Sequence, residues 1–129
     1  MRERRRILLL DSDRRRRRVQ ATLLRIAGYS VVEGARLAEV ADLIADVDLL
    51  MSEAKLEDGD AIEHAAALRR APATSALPVL IATTDRSVEP RVREALDGVS
   101  FFALPDRPSK LLDRIALLLA RPSDVVGPA

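Results

Sequence analysis

Five short, mainly apolar runs punctuate the chain, and the first of them is continuous and ends at Asp11. A continuous apolar run of this length is typical of a strand that is buried on both faces of a parallel sheet. The five predicted strands are Ile7–Leu10, Tyr29–Glu33, Val47–Ser52, Pro78–Thr83 and Val99–Ala103. Between and after these runs, apolar residues recur every three or four positions, which predicts helices.

Five helices are predicted in this way. Gly28 ends the first, as a C-terminal glycine does, and Pro90 and Pro108 each fit a first helical turn. The predicted helical segments carry the apolar sets Val19, Leu23 and Ile26; Leu37, Val40, Ala41 and Ile44; Ile62, Ala65, Ala66 and Leu68, before Pro72; Val88–Leu96; and Leu111, Leu112, Ile115, Leu118 and Leu119, with Leu117 outside the stripe. Such alternation predicts an α/β fold: a doubly wound, five-stranded parallel sheet of flavodoxin-like type, with strand order 2-1-3-4-5.

The 129 residues suit one domain. We expect this domain to span residues 1–121, followed by a frayed, Pro- and Gly-bearing tail at 122–129. The absence of cysteine excludes disulfides and thiolate metal sites. The apolar run at the N-terminus is too short for a signal peptide, so we expect a cytoplasmic location. The abundance of alanine and arginine suggests a bacterial source.

The net charge is only +1, but it is unevenly distributed. Arginines crowd the first eighteen residues, above all the run Arg14–Arg18, whereas acids gather between Glu53 and Glu63. The arginine run is either an anion- or nucleic-acid-binding surface or a solvated helix entry. With two phenylalanines and one tyrosine, the chain has few rings to stack on bases. We therefore favour the solvated helix and expect no nucleic-acid partner.

The order of these elements and motifs resembles the receiver domain of two-component response regulators over essentially the whole chain. The most specific stretch runs from Asp48 to Glu63, DLLMSEAKLEDGDAIE, and is similar to the family's strand, phospho-acceptor and Pro-Asp-Gly turn. Ile7–Asp11, Pro78–Thr83 and the pair Leu104-Pro105 resemble the first, fourth and fifth strand ends of the family.

The resemblance implies an acidic pocket in which Mg²⁺ is held by acids after the first strand and by an acceptor Asp, whose carboxylate attacks a phosphoryl donor. In this chain Asp11 matches the first acid, but Ser12 stands at the second, and the neighbouring Asp13 is a poor substitute. Glu53 replaces the acceptor, and its extra methylene would spoil an in-line attack. Glu53 is either a mimic of the phosphorylated state or a carboxylate that points at solvent.

The other positions implied by the resemblance are also altered. Thr83 matches the hydroxyl that contacts the phosphoryl group, but Leu104 replaces the Lys, and Glu57 replaces the turn proline. Either Phe101 or Phe102 would be the aromatic switch residue, with core packing as the alternative. Without the Lys, a phosphoryl group loses a charged partner.

We therefore predict a divergent receiver, or pseudo-receiver, with no enzymatic activity, no resident cofactor and no physiological metal. It would act in phosphorelay signalling by contact with another signalling protein, or as a homodimer, through the fourth helix, fifth strand and fifth helix. Alternatives are a phosphorylated receiver that uses Asp13 or Glu53, an anion-binding module, and a structural dimer without switching. His64, the only histidine, is interpreted as a solvated or half-buried helix residue.

Overall fold

Five parallel strands form the central sheet in a computed structural model that describes residues 4–94 and 98–120. The strands lie in the order β2-β1-β3-β4-β5, which confirms the predicted 2-1-3-4-5 topology. Their bounds are β1 Arg6–Leu10, β2 Ser30–Gly34, β3 Leu49–Ser52, β4 Val79–Thr83 and β5 Val99–Ala103. The predicted tail at 122–129 and the end of the fourth predicted helix lie outside the described residues.

Successive side chains of each strand point to opposite faces of the sheet, and both faces are covered. On one face, Leu8 and Leu50 belong to a cluster that includes residues of the helix that begins at Ala61. On the other face, Leu9 and Met51 belong to a second cluster, with residues of the first and last helices. These strand side chains are at most 1% exposed, as expected for strands that are apolar without interruption.

Within the described residues, four α-helices flank the sheet, one fewer than the sequence predicts. They are α1 Arg14–Ile26, α2 Ala61–Arg70, α3 Glu89–Glu94 and α4 Pro108–Leu119. Pro90 and Pro108 lie in first turns, and Gly28 follows α1 with a φ of 104°, as predicted. A short antiparallel hairpin, Lys55–Leu56 with Gly59–Asp60, occupies the acidic turn before α2.

The second predicted helix is wrong, because its segment forms two 3₁₀ turns, Leu37–Glu39 and Ile44–Asp46. Val40 and Ile44 of the predicted stripe are still buried in the core, whereas Ala41 is exposed. Tertiary contacts fix the segment at both ends. The Asp58 carboxylate accepts hydrogen bonds from the N–H groups of Leu37 and Ala38, at 2.9 and 3.0 Å, and Asp46 pairs with an arginine of β1.

These backbone hydrogen bonds to the carboxylate lower the pKa of Asp58 below its ordinary value of 3.8. Its contribution to stability is therefore present above that value and is lost as the pH falls through the lower pKa of the folded state. Asp58→Ala should lower the melting temperature at neutral pH, and its difference from the wild type should shrink in acid. Thermal unfolding across this pH range would measure the change in melting temperature, with the exposed Asp42→Ala as control. A loss of melting temperature that does not depend on pH would contradict stabilisation by the ionised Asp58 carboxylate.

The predicted apolar face of α1 is wrong at two of its three residues. Val19 and Ile26 are 70% and 80% exposed, and only Leu23 packs against the core, while the helix buries Ala21 and Leu24. Arg17 precedes these buried residues by four and seven positions, so it lies on the same face. Its guanidinium donates from Nη1 to the carbonyl oxygen of residue 11, at 2.8 Å. Polar anchors at the start of the helix therefore set its rotation, which spacing alone could not show.

A different kind of polar anchor fixes the turn before β5. Gly98 has a φ of 82°, and a Cβ built on it would lie 2.7 Å from Nη2 of Arg69. The same nitrogen donates to the Gly98 carbonyl oxygen at 2.9 Å. Gly98→Ala should therefore destabilise the fold by about 1–3 kcal/mol, measured by urea unfolding. The exposed Gly28→Ala, also at positive φ but with no atom within 4 Å of its Cβ, separates backbone strain from the clash; equal losses would contradict a clash with Arg69.

Candidate functional site

Four strands end at the same edge of the sheet, and the residues at these ends form the candidate site, here termed the pocket. The carboxyl ends of parallel strands at such an edge are the usual ligand site in doubly wound folds. Asp11 follows β1, Glu53 follows β3, Thr83 ends β4, and Leu104 follows β5. The structure therefore brings together the positions that the sequence assigned to a phosphorylation site.

None of the described helices is long and apolar enough to cross a membrane.

Asp11 and Asp13 have separate tasks at the start of α1. Asp11 is only 2% exposed, and its Oδ1 accepts the Asp13 N–H at 2.9 Å. Asp13 is the N-cap of α1, and its Oδ1 accepts the N–H of Arg16 at 2.9 Å. That hydrogen bond lowers the pKa of Asp13. The side chain of Asp13 is 51% exposed, so it serves the helix start and does not complete the buried acidic pocket.

Arg16 lies between the two acids of the pocket. Its Nε is 2.5 Å from Oδ2 of Asp11, and its Nη2 is 2.8 Å from Oδ1 of the same carboxylate. This two-pronged geometry is the strong form of an Arg–carboxylate pair. Nη2 also lies 3.2 Å from Oε2 of Glu53. One guanidinium therefore contacts both carboxylates at the strand ends.

The Glu53 side chain is turned into the pocket. It is 11% exposed, and its Oε1 accepts the N–H of Ala54 at 2.7 Å, so it does not point at solvent. The hydrogen bond that Arg16 donates to Asp11 raises the pKa of its guanidinium, outweighing the opposite effect of burial, and the charge of Glu53 adds to the increase. Arg16 is thus a permanent positive charge inside the pocket.

Sequence reasoning did not single out Arg16, because the five arginines at 14–18 are equivalent as a run. The structure separates them. Arg16 and Arg17 turn inward to ion pairs, the second with Glu33, whereas Arg14, Arg15 and Arg18 are exposed. The spacing of Arg16 from the N-cap Asp13 could have suggested an inward side chain. The prediction of a solvent-exposed first helical turn is therefore correct for only Arg14, Arg15 and Arg18.

Ser12 and Glu57, which depart from the family pattern, are bonded to each other. The Ser12 hydroxyl donates to the carbonyl oxygen of Ala35 at 2.8 Å and accepts the Glu57 N–H at 3.1 Å. A proline at position 57 would have no N–H to donate. Ser12 and Glu57 thus link the loops after β1, β2 and β3 through hydrogen bonds. The Ser12 hydroxyl is therefore used to hold these loops together and not to bind a metal.

Thr83 and Leu104 form the opposite wall of the pocket. The Thr83 hydroxyl is 1% exposed and accepts the N–H of Asp85 at 3.1 Å. Leu104 donates its N–H to the carbonyl oxygen of Thr83 at 2.9 Å, before a cis peptide bond to Pro105. Its side chain packs against the cluster beneath α1 and α4. This wall offers a hydroxyl and an apolar side chain but no cation for a phosphoryl group.

Phe101 and Phe102 face opposite sides of the sheet. Phe101 is half-buried and packs against the cluster that contains Val92 of α3. Phe102 is 6% exposed, and Arg114 of α4 lies over its ring at 5.8 Å from the centroid. Phe102 is therefore a core residue, whereas Phe101 is only partly buried. His64 is half-buried on α2, and burial lowers its pKa despite the charge of Asp58.

The donor set of the pocket does not fit Mg²⁺. This cation needs several oxygen ligands in octahedral geometry, and both Asp11 and Glu53 are already paired with Arg16. Ser12 supplies no carboxylate. Across residues 4–94 and 98–120, no group of three or more His, Cys, Asp or Glu residues could hold a metal ion.

Neither a protein-family model nor a curated protein matches the sequence, whereas solved structures do. A protein described as a response regulator, from Chloroflexus aurantiacus, is 27% identical with a TM-score of 0.82, over 92% of this chain and 100% of that one. The receiver domain of the hybrid histidine kinase CckA is 26% identical with a TM-score of 0.68, over 88% and 98%. The chemotaxis protein CheY4 of Vibrio cholerae is 22% identical with a TM-score of 0.76, over 89% and 98%. In fold and over nearly its whole length, the chain is thus similar to the receiver domains of response regulators.

Proposed function

We propose that this chain is a receiver-like domain of two-component signalling that acts by protein contact, without phosphorylation and without catalysing a reaction. The likeness to receiver domains supports the signalling class. The observation that carries the finer proposal is the state of the pocket, where Arg16 joins Asp11 to Glu53. The residue that stands at the acceptor position is thereby fixed in an ion pair.

Phosphoryl transfer to Glu53 would meet three obstacles. The carboxylate would first have to leave both Arg16 and the Ala54 N–H. The divalent cation that neutralises developing charge has no suitable ligand set. Leu104 provides no charge to hold the phosphoryl oxygens. Preorganised charge is usually the largest contribution to such catalysis, so its loss disfavours the reaction more than the extra methylene of Glu53 alone.

Incubation with acetyl phosphate and Mg²⁺, followed by intact mass spectrometry, tests this proposal. We expect no phosphoryl adduct on the wild-type chain. An adduct on the wild type that disappears in Glu53→Gln would contradict the proposal and support the alternative of an unusual acceptor. An adduct lost in Asp13→Asn would contradict it in the same way and identify Asp13 as the acceptor.

The groove between α3 and α4 supports the contact face that the sequence suggested. It has a volume of about 550 Å³ and is lined by both phenylalanines of β5 and by charged side chains, among them Glu89 of α3 and Lys110 and Asp113 of α4. Leu117, at the rim, is 70% exposed, as its position outside the apolar stripe predicts. Mixed charges around an exposed apolar residue suit a specific protein contact. A partner protein and a second copy of the chain both remain compatible with this face.

Two rival functions have direct tests. Tight dimerisation in light scattering that is unchanged by Glu53→Gln would favour a structural dimer module. A salt-dependent mobility shift with duplex DNA would favour the anion-binding module. We expect no such shift, because two of the five clustered arginines are held in internal ion pairs.

A further inference from the structure

We propose that Arg16 is an internal replacement for a divalent cation, so that the pocket keeps its shape without metal. The inference deepens the proposed function and rests on it in one respect: both assume that Mg²⁺-dependent chemistry has been lost. It concerns how the same pocket is held and regulated, and it names one residue as responsible.

The first argument is charge. The two carboxylates lie close together, because both contact the same guanidinium. Water screens their charges poorly, since Asp11 is almost fully buried and Glu53 is 11% exposed. Like charges in such a site need a cation or a proton between them. The Arg16 guanidinium contacts oxygens of both carboxylates and stays protonated under all ordinary conditions. Arg16 therefore supplies the positive charge that a pair of buried carboxylates would otherwise obtain by binding a divalent cation from solution.

The second argument is position. Arg16 lies in the first turn of α1, where a positive charge opposes the helix dipole. An arginine there is unfavourable for the helix by itself, so its inward orientation must be stabilised by the pocket. Its side chain is 32% exposed, compared with 49% for Arg25 at the other end of the helix. The contacts with Asp11 and Glu53 provide that stabilisation.

The third argument is what Arg16 connects. Asp11 directly follows β1, and Glu53 begins the loop after β3. The N–H of Glu53 donates to the carbonyl oxygen of Leu10, the last residue of β1, at 2.9 Å. One guanidinium thereby ties α1 to two strand ends. A bound cation would join the same loops, but only when present. With Arg16 in place, the conformation of the loop after β3 does not depend on the concentration of divalent ions.

The test compares the wild type with Arg16→Met, using Mn²⁺ and Mg²⁺ alone as probes. The wild type should show the same melting temperature with millimolar MgCl₂ and with EDTA, and should leave the Mn²⁺ electron paramagnetic resonance signal of free ions unchanged. Arg16→Met should melt several degrees lower, should recover part of that loss with MgCl₂, and should remove free Mn²⁺ from solution. Arg18→Met, an exposed arginine of the same helix, should match the wild type throughout.

A double variant separates charge repulsion from loss of packing. In Arg16→Met/Glu53→Gln, one carboxylate charge is gone, so the melting temperature should rise above that of Arg16→Met, and the Mg²⁺ effect should vanish. If Arg16→Met does not fold, Arg16→Lys should fold with intermediate stability and remain insensitive to Mg²⁺.

Three results would overturn the role of Arg16: Mn²⁺ binding by the wild type, an Arg16→Met variant as stable as Arg18→Met, or a loss in Arg16→Met that neither Mg²⁺ nor Glu53→Gln relieves. These outcomes are distinct from a phosphoryl adduct on the wild type, which would contradict the proposed function but leave the stability comparison intact. The two proposals can therefore fail separately.

Discussion

Leu50→Ala should lower the free energy of unfolding by about 2–5 kcal/mol, the range for a buried leucine whose neighbours collapse only partly into the space left. Leu50 is 1% exposed in β3, paired between Leu8 of β1 and Val79 of β4. Its truncation removes contacts from the centre of the sheet, directly below the strand end that carries Glu53. Urea unfolding followed by circular dichroism would measure the loss as a shift of the midpoint.

Leu117→Ala is the matched control, since it makes the same chemical change at a side chain that is 70% exposed. It should alter the free energy of unfolding by no more than about 0.5 kcal/mol. If the two variants were equally stable, β3 would not be the buried centre of the sheet.

Asp11→Ala should be the most damaging substitution in the pocket, at about 2–4 kcal/mol. It removes the carboxylate that accepts two hydrogen bonds from the Arg16 guanidinium and one from the Asp13 N–H. The guanidinium would keep only Glu53, at 3.2 Å, and the exposed Asp13, at 3.9 Å. The estimate lies at the lower end for a broken buried pair because Arg16 is partly exposed to water.

Asp11→Ala/Arg16→Met should be more stable than the sum of its two single variants predicts, because neither charge is left without its partner. Chemical denaturation of all four proteins gives the coupling energy. Asp42→Ala, at an exposed acid in the connection between β2 and β3, is expected to stay close to the wild type. Additive losses around the cycle would mean that Asp11 stabilises the fold through its backbone contacts and not through Arg16.

The pattern of apolar residues was sufficient for the sheet and its order. Strands that are buried on both faces are nearly free of polar residues, so runs such as Ile7–Leu10 and Pro78–Thr83 are visible without tertiary information. The ends of α1, α2 and α4 were similarly visible, because glycine and proline act through local backbone geometry. The strands and helix ends could be predicted because they depend on residues that are neighbours in the chain.

The connection between β2 and β3 could not be predicted, because contacts from outside the segment determine its backbone. Apolar spacing placed Val40 and Ile44 against the sheet, and both are buried. The carboxylate that holds the first 3₁₀ turn belongs to Asp58, about twenty residues later in the chain. A hydrogen bond of this range leaves no periodic signal in the segment that receives it.

The rotation of α1 was decided in the same way. Spacing favoured Val19 and Ile26 as the buried residues, yet the inward arginines orient the helix so that Ala21 and Leu24 face the sheet. Amphipathic spacing assumes that apolar burial alone sets the rotation of a helix. Here charge-assisted hydrogen bonds at the first turn compete with it.

The chemical groups at the strand ends can be read from the sequence: an acid at Asp11, a glutamate at Glu53, a hydroxyl at Thr83 and no lysine at Leu104. They indicate that parts of a phosphorylation site are missing. The group that occupies their place depends on contacts between residues far apart in the chain. Among five consecutive arginines, the rotation of α1 directs Arg16 between Asp11 and Glu53, because a buried pair of carboxylates is stable only with a positive charge beside it.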